Sequence, residues 1–394
     1  MVDTSTVNFE NTQTAFAWRN NAELKQTYAL FTMMHSPGLV KFGTSLLNMA
    51  FTLRLPIKTV VKMTLFKQFC GGENIEDSSE TINKLGSYRI GSILDYSVEG
   101  AQNDKSFDKT EAEIIKTIIK SAQDENVPFS VFKLTGIAAV DLLEKVHAGE
   151  ILSGDDELQW SKVVSRVKNL CKTAYEHNVR IFIDAEETWL QGPVDQLAYD
   201  MMRLYNRETA IVYNTYQMYL KSKFEQLKSD FDKAQEEGFI LGVKLVRGAY
   251  MEKEGERALK MNYPNPIQVT KEATDRDYNA AISFILENNT GFALCAGSHN
   301  EKSNKLLVEL MNKYGVADNN VNFFFAQLFG MSDHISFNLS KAGYNVAKYL
   351  PYGPVKEALP YLFRRAEENT SVAGQASREL TLVSTEIKRR NSEK

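Results

Sequence analysis

Apolar residues recur along this chain in two alternating rhythms. From Gly86 onward, short β-prone runs occur at 88–94, 129–134, 179–183, 209–213, 239–246, 291–296, 321–325 and 344–350. Longer stretches with helical spacing separate most of them. Phe224, Leu227, Phe231 and Ala234 illustrate this spacing, and Gly238 comes next as a stop signal. Strands alternating with helices call for parallel pairing, and eight such units predict an α/β fold of the closed (βα)8, TIM-type barrel kind. The rival is a doubly wound sheet, which calls for a GxGxxG turn after an early strand. The sequence contains none.

Flanking segments complete the expected organisation: a helical arm over 1–85, a somewhat distorted barrel over 86–371 whose final helix caps the mouth, and a tail over 372–394. No acidic residue occurs between Ser36 and Gly72, whereas Lys41, Arg54, Lys58, Lys62 and Lys67 alternate with Leu, Val, Met and Phe. Such a stretch either lies on an anionic membrane or packs as a helical arm against the main domain. The tail after Ser371, which ends in Lys388 to Lys394, reads as a short helix with a loose end.

Composition narrows the possible functions. With 394 residues there is ample chain for a large core, and a net charge of -4 argues against a bulk nucleic-acid binder. Cys70, Cys171 and Cys295 lie far apart without a CxxC, and the five histidines form no HExxH, so neither a metal site nor a disulfide framework is expected. The start of the chain lacks the pattern of a secretory signal or presequence, and the uncharged run 42–53 is too short to cross a bilayer. These features favour a cytoplasmic protein, with peripheral contact at a bacterial inner membrane as an extension and a mitochondrial location as the alternative.

In a barrel of this kind, functional side chains collect at the C-terminal strand ends. Those ends carry Asp95, Lys133, Asp184, Gln217, Lys244 with Arg247, His299 with Asn300, Gln327 and Tyr349. Lys133 and Lys244 fall inside their apolar runs, and a lysine facing a barrel interior needs an anionic partner or ligand. After the last run, Arg364 and Glu368 share a helix face with Tyr361 one turn earlier, and Arg365 lies about 100° round. Two fanned guanidinium groups suit a carboxylate, which they grip with paired charge-assisted bonds.

Seven ordered fragments resemble the proline dehydrogenase family. They are Ile93-Leu-Asp-Tyr-Ser-Val-Glu99, Phe182-Ile-Asp-Ala-Glu186, Tyr213-Asn-Thr-Tyr-Gln-Met-Tyr-Leu220, Val243-Lys-Leu-Val-Arg-Gly-Ala-Tyr250, Ser298-His-Asn-Glu301, Gln327-Leu-Phe-Gly-Met331 and the segment from Tyr349 to the double arginine. The likeness covers roughly residues 69–371 and is to the monofunctional, eukaryotic-like branch. It implies a barrel that holds FAD and oxidises L-proline to Δ1-pyrroline-5-carboxylate by hydride transfer to flavin N5, with a membrane quinone as the next acceptor. By the same resemblance, Asp184 and Lys244 lie beside the reacting ring system. Lys133, Arg364 and Arg365 clamp the substrate carboxylate, and Tyr250, Leu328 and Tyr349 wall the substrate ring. Glu368, Asp95 and the gate residue Glu99 balance the cationic charge. Ala185, Gln217, Val246, Gly248, Ala249, Thr274, His299, Asn300 and Gln327 correspond to cofactor-contacting positions, and a glycine at 248 lets the backbone approach closely.

Two positions depart from the family pattern. Lys244 stands where many bacterial relatives carry arginine, and Ala326 replaces a common glutamine while Gln327 comes directly after it. Three other readings compete with proline oxidation: hydroxyproline oxidation, an aldolase-type barrel using Lys133 or Lys244 as a Schiff-base lysine, and a non-catalytic barrel that binds an acidic ligand.

Overall fold

Runs rich in β-branched and aromatic residues are shaped for a pleated, buried surface. In the computed structural model, which describes residues 7–35, 38, 58–96, 103–371 and 375–393, all eight runs form strands. They are β1 (Ile90–Tyr96), β2 (Phe129–Lys133), β3 (Arg180–Asp184), β4 (Val212–Gln217), β5 (Leu241–Val246), β6 (Phe292–Gly297), β7 (Phe323–Leu328) and β8 (Val346–Tyr352). They close into a barrel in chain order. The largest displacement is in β4, which runs to Gln217 rather than stopping at Tyr213. Its amides read as loop residues, but they find partners: Asn214 Nδ2 donates to Asp195 Oδ1 at 2.8 Å, and Gln217 Nε2 to the Glu186 carbonyl at 2.7 Å.

The chain divides into two units, Gly100–Ala326 and the combination of Met1–Glu99 with Gln327–Lys394. The first unit contains β2 to β6 and β7 as far as Ala326, paired in parallel register. Strand alternation sends every second residue to one face. On the inner face Phe129 stacks on Phe182 with centroids 4.4 Å apart and meets Phe324 edge-on at 4.9 Å, while Arg180 lies 5.6 Å over both Phe129 and Phe324. This aromatic floor fixes which later residues of each strand share the inner face. Lys133 shares a face with Phe129, Asp184 with Phe182, and Ala326 with Phe324. Outside, the helix Lys223–Glu237 places Phe231 flat on Phe292 at 4.4 Å, and it ends as expected at Gly238, which takes a left-handed conformation at φ +71°.

The second unit joins β1 and β8 with segments from both termini. The helix Asn21–Met34 opens with a capping box between Asn20 and Glu23. The helix Gln375–Ser392 shares a core with the N-terminal segment through Ala15, Phe16, Leu24, Leu382 and Val383. The end expected to be loose is therefore a docked helix. Its Glu386 is fully buried, accepts from Thr12 Oγ1 at 3.0 Å and pairs with Arg389 and Arg390. Leu30, Met34, Val61, Phe66 and Phe69 of the arm form a core with Leu359, Tyr361, Leu362 and Ala366 of the helix Leu359–Ser371. For this part of the arm, packing against the protein is what the apolar residues do. Lys41, Arg54, Glu99 and the side chain of Glu368 lie outside the described residues. No helix among the described residues is long and apolar enough to cross a membrane.

On the outer face of β8, Lys348 is fully buried. Its ammonium lies 3.0 Å from Asp333 Oδ1 and donates to the Met331 carbonyl at 2.5 Å. Asp333 Oδ2 also accepts from Arg19 Nε at 3.3 Å and Trp18 Nε1 at 3.2 Å. Burial pushes the Asp333 carboxyl up, but Lys348 and Arg19 outweigh it and hold the group below the ordinary carboxylate range. A buried charge that loses its counterion is strongly destabilising. Asp333→Asn, which strands Lys348, is expected to cost about 3–5 kcal/mol in urea unfolding. Lys348→Met, which leaves Asp333 paired with Arg19, should cost less. A cost for Asp333→Asn within measurement error would rule out this role.

Candidate active site

A buried ion pair lies at the end of β3. Asp184 closes that strand, and Lys244 lies two strands away on β5, in register with Thr215 of β4. Their side chains meet at 2.5 Å and are each only 10% exposed. The ammonium also lies 5.3 Å over the Phe182 ring, so the lysine rests on the aromatic floor while it reaches the carboxylate. The anion expected for an inward-facing lysine is thus Asp184. Lys133, in register with Asp184, is partly exposed.

Around this pair the expected cofactor positions differ in exposure. Ala185 is buried, Val246 and His299 are half-buried, and Gly248 and Ala249 are exposed. Gln217 is buried at the end of β4, tied to the Glu186 carbonyl. Thr274 is buried in the first turn of the helix Lys271–Glu287. Asn300 caps the helix Glu301–Lys313, accepting from the backbone N–H groups of Lys302 and Ser303 at 2.9 and 3.2 Å. Tyr250 is half-buried ahead of the helix Met251–Met261, with the Lys253 ammonium 5.5 Å from its ring.

In the other unit, register places Asp95 and Tyr349 on one face of the β1–β8 pair, both buried. Leu328 packs against the core that holds Tyr361 and Leu362. Arg365 is 6% exposed, with its guanidinium 5.2 Å over the Tyr361 ring, and Arg364 is half-buried. Gln327 faces the helix layer, where its Oε1 accepts from Ser336 Oγ at 2.7 Å. The residue on the inner face of β7 at that level is Ala326.

Two groups had little or no signal in the sequence. Arg247, legible only as a strand-end residue, knits β5 to its neighbours. It bonds Asp275 at 2.7 Å, Ser298 Oγ at 2.7 Å and Ser303 Oγ at 2.9 Å, and it stacks 4.2 Å over Tyr278. Glu186 is buried and accepts from Thr135 through N–H at 2.9 Å and Oγ1 at 2.6 Å. Its only sequence signal was membership of the Phe182–Glu186 fragment. Gly248 also has a reason beyond the one expected. With φ at +134°, any Cβ would stand 2.5 Å from the ring of Tyr219, so a neighbouring aromatic requires the glycine whatever else approaches.

The family profile described as proline dehydrogenase matches residues 78–378. The chain belongs to the proline dehydrogenase family. Its relatives include the mitochondrial proline dehydrogenase 1 of Dictyostelium discoideum, 33% identical over 96% of this chain and 74% of that protein. The carbapenem antibiotics biosynthesis protein CarD of Pectobacterium carotovorum is 34% identical over 88% of this chain and 93% of its own. Among solved structures, proline utilization A from Bdellovibrio bacteriovorus superposes with a TM-score of 0.71 at 18% identity, covering 91% of this chain. This chain spans only 38% of that protein, and at such identity the likeness concerns the fold. FAD is the cofactor of the proline dehydrogenase family, and the closed parallel barrel is its expected frame.

Gly248→Ala is expected to destabilise the protein by about 1–3 kcal/mol through backbone strain and the Tyr219 clash. In a Tyr219→Ala background the cost should shrink, with a coupling of about 0.5–3 kcal/mol in a denaturant double-mutant cycle. Strict additivity would show that Tyr219 is not the obstacle.

Proposed function

We propose that the protein oxidises L-proline to Δ1-pyrroline-5-carboxylate, using FAD and passing electrons to a membrane quinone. Within a chain of this family, the observation that carries the reading is the buried Asp184–Lys244 pair above the aromatic floor. The donor set suits a flavin dinucleotide. A fixed ion pair and the Gln217 amide offer polar contacts to a flat heteroaromatic ring, while exposed Gly248 and Ala249 leave room for the chain beyond it. We assign Val246, Thr274, His299 and Asn300 to the same cofactor, with Ala185 beside it. Ala326 replaces Gln327 in this set, because Gln327 turns to the helix layer, where it meets Ser336, and Ala326 is the residue on the inner face. When bound, FAD supplies the hydride acceptor that no side chain can provide.

The remaining roles belong to the chain's own groups. Arg364, Arg365 and Lys133 hold the substrate carboxylate, and planar guanidinium groups fix its orientation as well as its position. Tyr349, Tyr250 and Leu328 pack the five-membered ring and exclude water. Asp95, Glu99 and Glu368 offset the cationic excess, which would otherwise be costly in a dry site. Tyr349 also bears on selectivity, since its bulk crowds a ring hydroxyl.

The decisive test is colour. The purified protein should be yellow and should bleach anaerobically on addition of L-proline. A colourless protein that borohydride traps with a carbonyl substrate would instead support the Schiff-base reading. Losing one charge-assisted contact costs about 1.5–3 kcal/mol, so Arg364→Met should weaken binding of a ring carboxylate about 10–150-fold. An unchanged dissociation constant removes Arg364 from the clamp. Tyr349→Ser should narrow the preference for proline over 4-hydroxyproline in kcat/KM, and equal turnover of both by the unaltered protein would defeat the proline assignment. For location, we favour a cytoplasmic enzyme touching the membrane to reach its quinone. The names of several relatives support a mitochondrial compartment as the second reading. Co-sedimentation with liposomes, with and without proline, tests the membrane contact.

A further inference from the structure

Glu186 stands two residues beyond Asp184, and the resemblance gives it no role. Its carboxylate, 3% exposed, accepts both the N–H and the hydroxyl of Thr135. Thr135 belongs to the short turn Leu134–Gly136 directly after Lys133 at the end of β2. The Glu186 N–H donates to Gln191 Oε1 at 2.8 Å, and its carbonyl accepts from Gln217 at the end of β4. One residue therefore fastens the ends of β2 and β4 to the end of β3. Two charged groups act on it electrostatically: Lys133, of opposite sign, and Glu187, of like sign, which is itself paired with Lys253 at 2.7 Å. Its polar neighbours Thr135, Gln191 and Gln217 carry no charge.

We propose that Glu186 is a positioning residue for the carboxylate clamp. Through Thr135 it holds the turn that directly follows Lys133, and through its own charge it sets how much of the Lys133 charge an incoming carboxylate meets. This rests on the assignment of Lys133 to the clamp. Burial raises the Glu186 carboxyl to about 7 against the opposing effects of the Thr135 bonds and Lys133, so both charge states are accessible near neutrality. A second carboxylate arriving at Lys133 repels the ionised form and draws a proton onto Glu186. Binding coupled to proton uptake weakens as pH rises through this range.

The probe is tetrahydrofuran-2-carboxylate, in which ring oxygen replaces the proline nitrogen, so the ligand has no amine to titrate. Its dissociation constant is measured by calorimetry on the flavin-loaded protein between about pH 6 and 8.5, where one linked proton changes affinity by at most about tenfold per pH unit. The unaltered protein should lose affinity severalfold across the range. Glu186→Gln should give a flat profile, because glutamine can still accept the Thr135 N–H and donate to its hydroxyl but never ionises. Equal slopes in the two proteins, or a flat profile in the unaltered one, overturn the proposal while leaving the clamp intact. Absence of binding at every pH removes the clamp and this proposal with it. Should Glu186→Gln not fold, Thr135→Val serves instead. It deletes one bond that favours the ionised carboxylate, so the pH midpoint should move upward, and an unmoved midpoint overturns the proposal.

Discussion

Placing a lysine inside a barrel is the constraint around which this molecule is organised. Removing an ammonium from water costs several kcal/mol, and the loss is offset only by a close, well-oriented anion and further polar contacts. Lys244 meets that condition through Asp184 at 2.5 Å and the face of Phe182 beneath. The geometry depends on the parallel register of β3, β4 and β5, which sets Asp184 and Lys244 on one face with β4 between them. Well-packed apolar residues often replace a buried ion pair without loss of stability, so stability alone does not explain the pair. The ion pair leaves instead a fixed, oriented dipole facing the mouth, which is useful to a reaction that moves a hydride.

Polar side chains elsewhere solve the same problem in different ways. Lys348, also on a strand but facing outward, is neutralised by Asp333, which Arg19 and Trp18 bond in turn. This cluster links β8, the strand that carries Tyr349, to residues near the start of the chain. The docked C-terminal helix adds Glu379, which accepts the Ser332 N–H next to Asp333 and whose carboxyl burial pushes up. Both termini thus bear on the scaffold behind a proposed substrate-contacting tyrosine, which gives the arm and tail a structural purpose independent of any membrane.

Legibility of the site tracked the range of the forces involved. Lys133 and Lys244 announced themselves because charge inside an apolar run breaks the local pattern. Glu186 did not, because it comes after the acidic Asp184 in a segment where carboxylates look like ordinary loop polarity. Gln327 and Ala326 were indistinguishable by sequence. Alternation from Phe324, which meets Phe129 edge-on, and the bond from Ser336 to Gln327 separate them. The part of Gly248 that involves Tyr219 was not legible, since Tyr219 lies 29 positions earlier in the chain and meets it only after β4 and β5 pair.

What the chain settled unaided was its architecture and lineage. Strand and helix periods are local, so eight apolar runs divided by helical spacing specify parallel pairing and closure, and ordered fragments carry the family with them. Tertiary structure alone decided which polar groups meet: Asp184 with Lys244 across 60 positions, Thr135 with Glu186 across 51, and Thr12 with Glu386 across 374. Such pairings arise from strand register and helix docking, and these are set by the packing of the whole core, beyond the reach of any neighbouring stretch of residues.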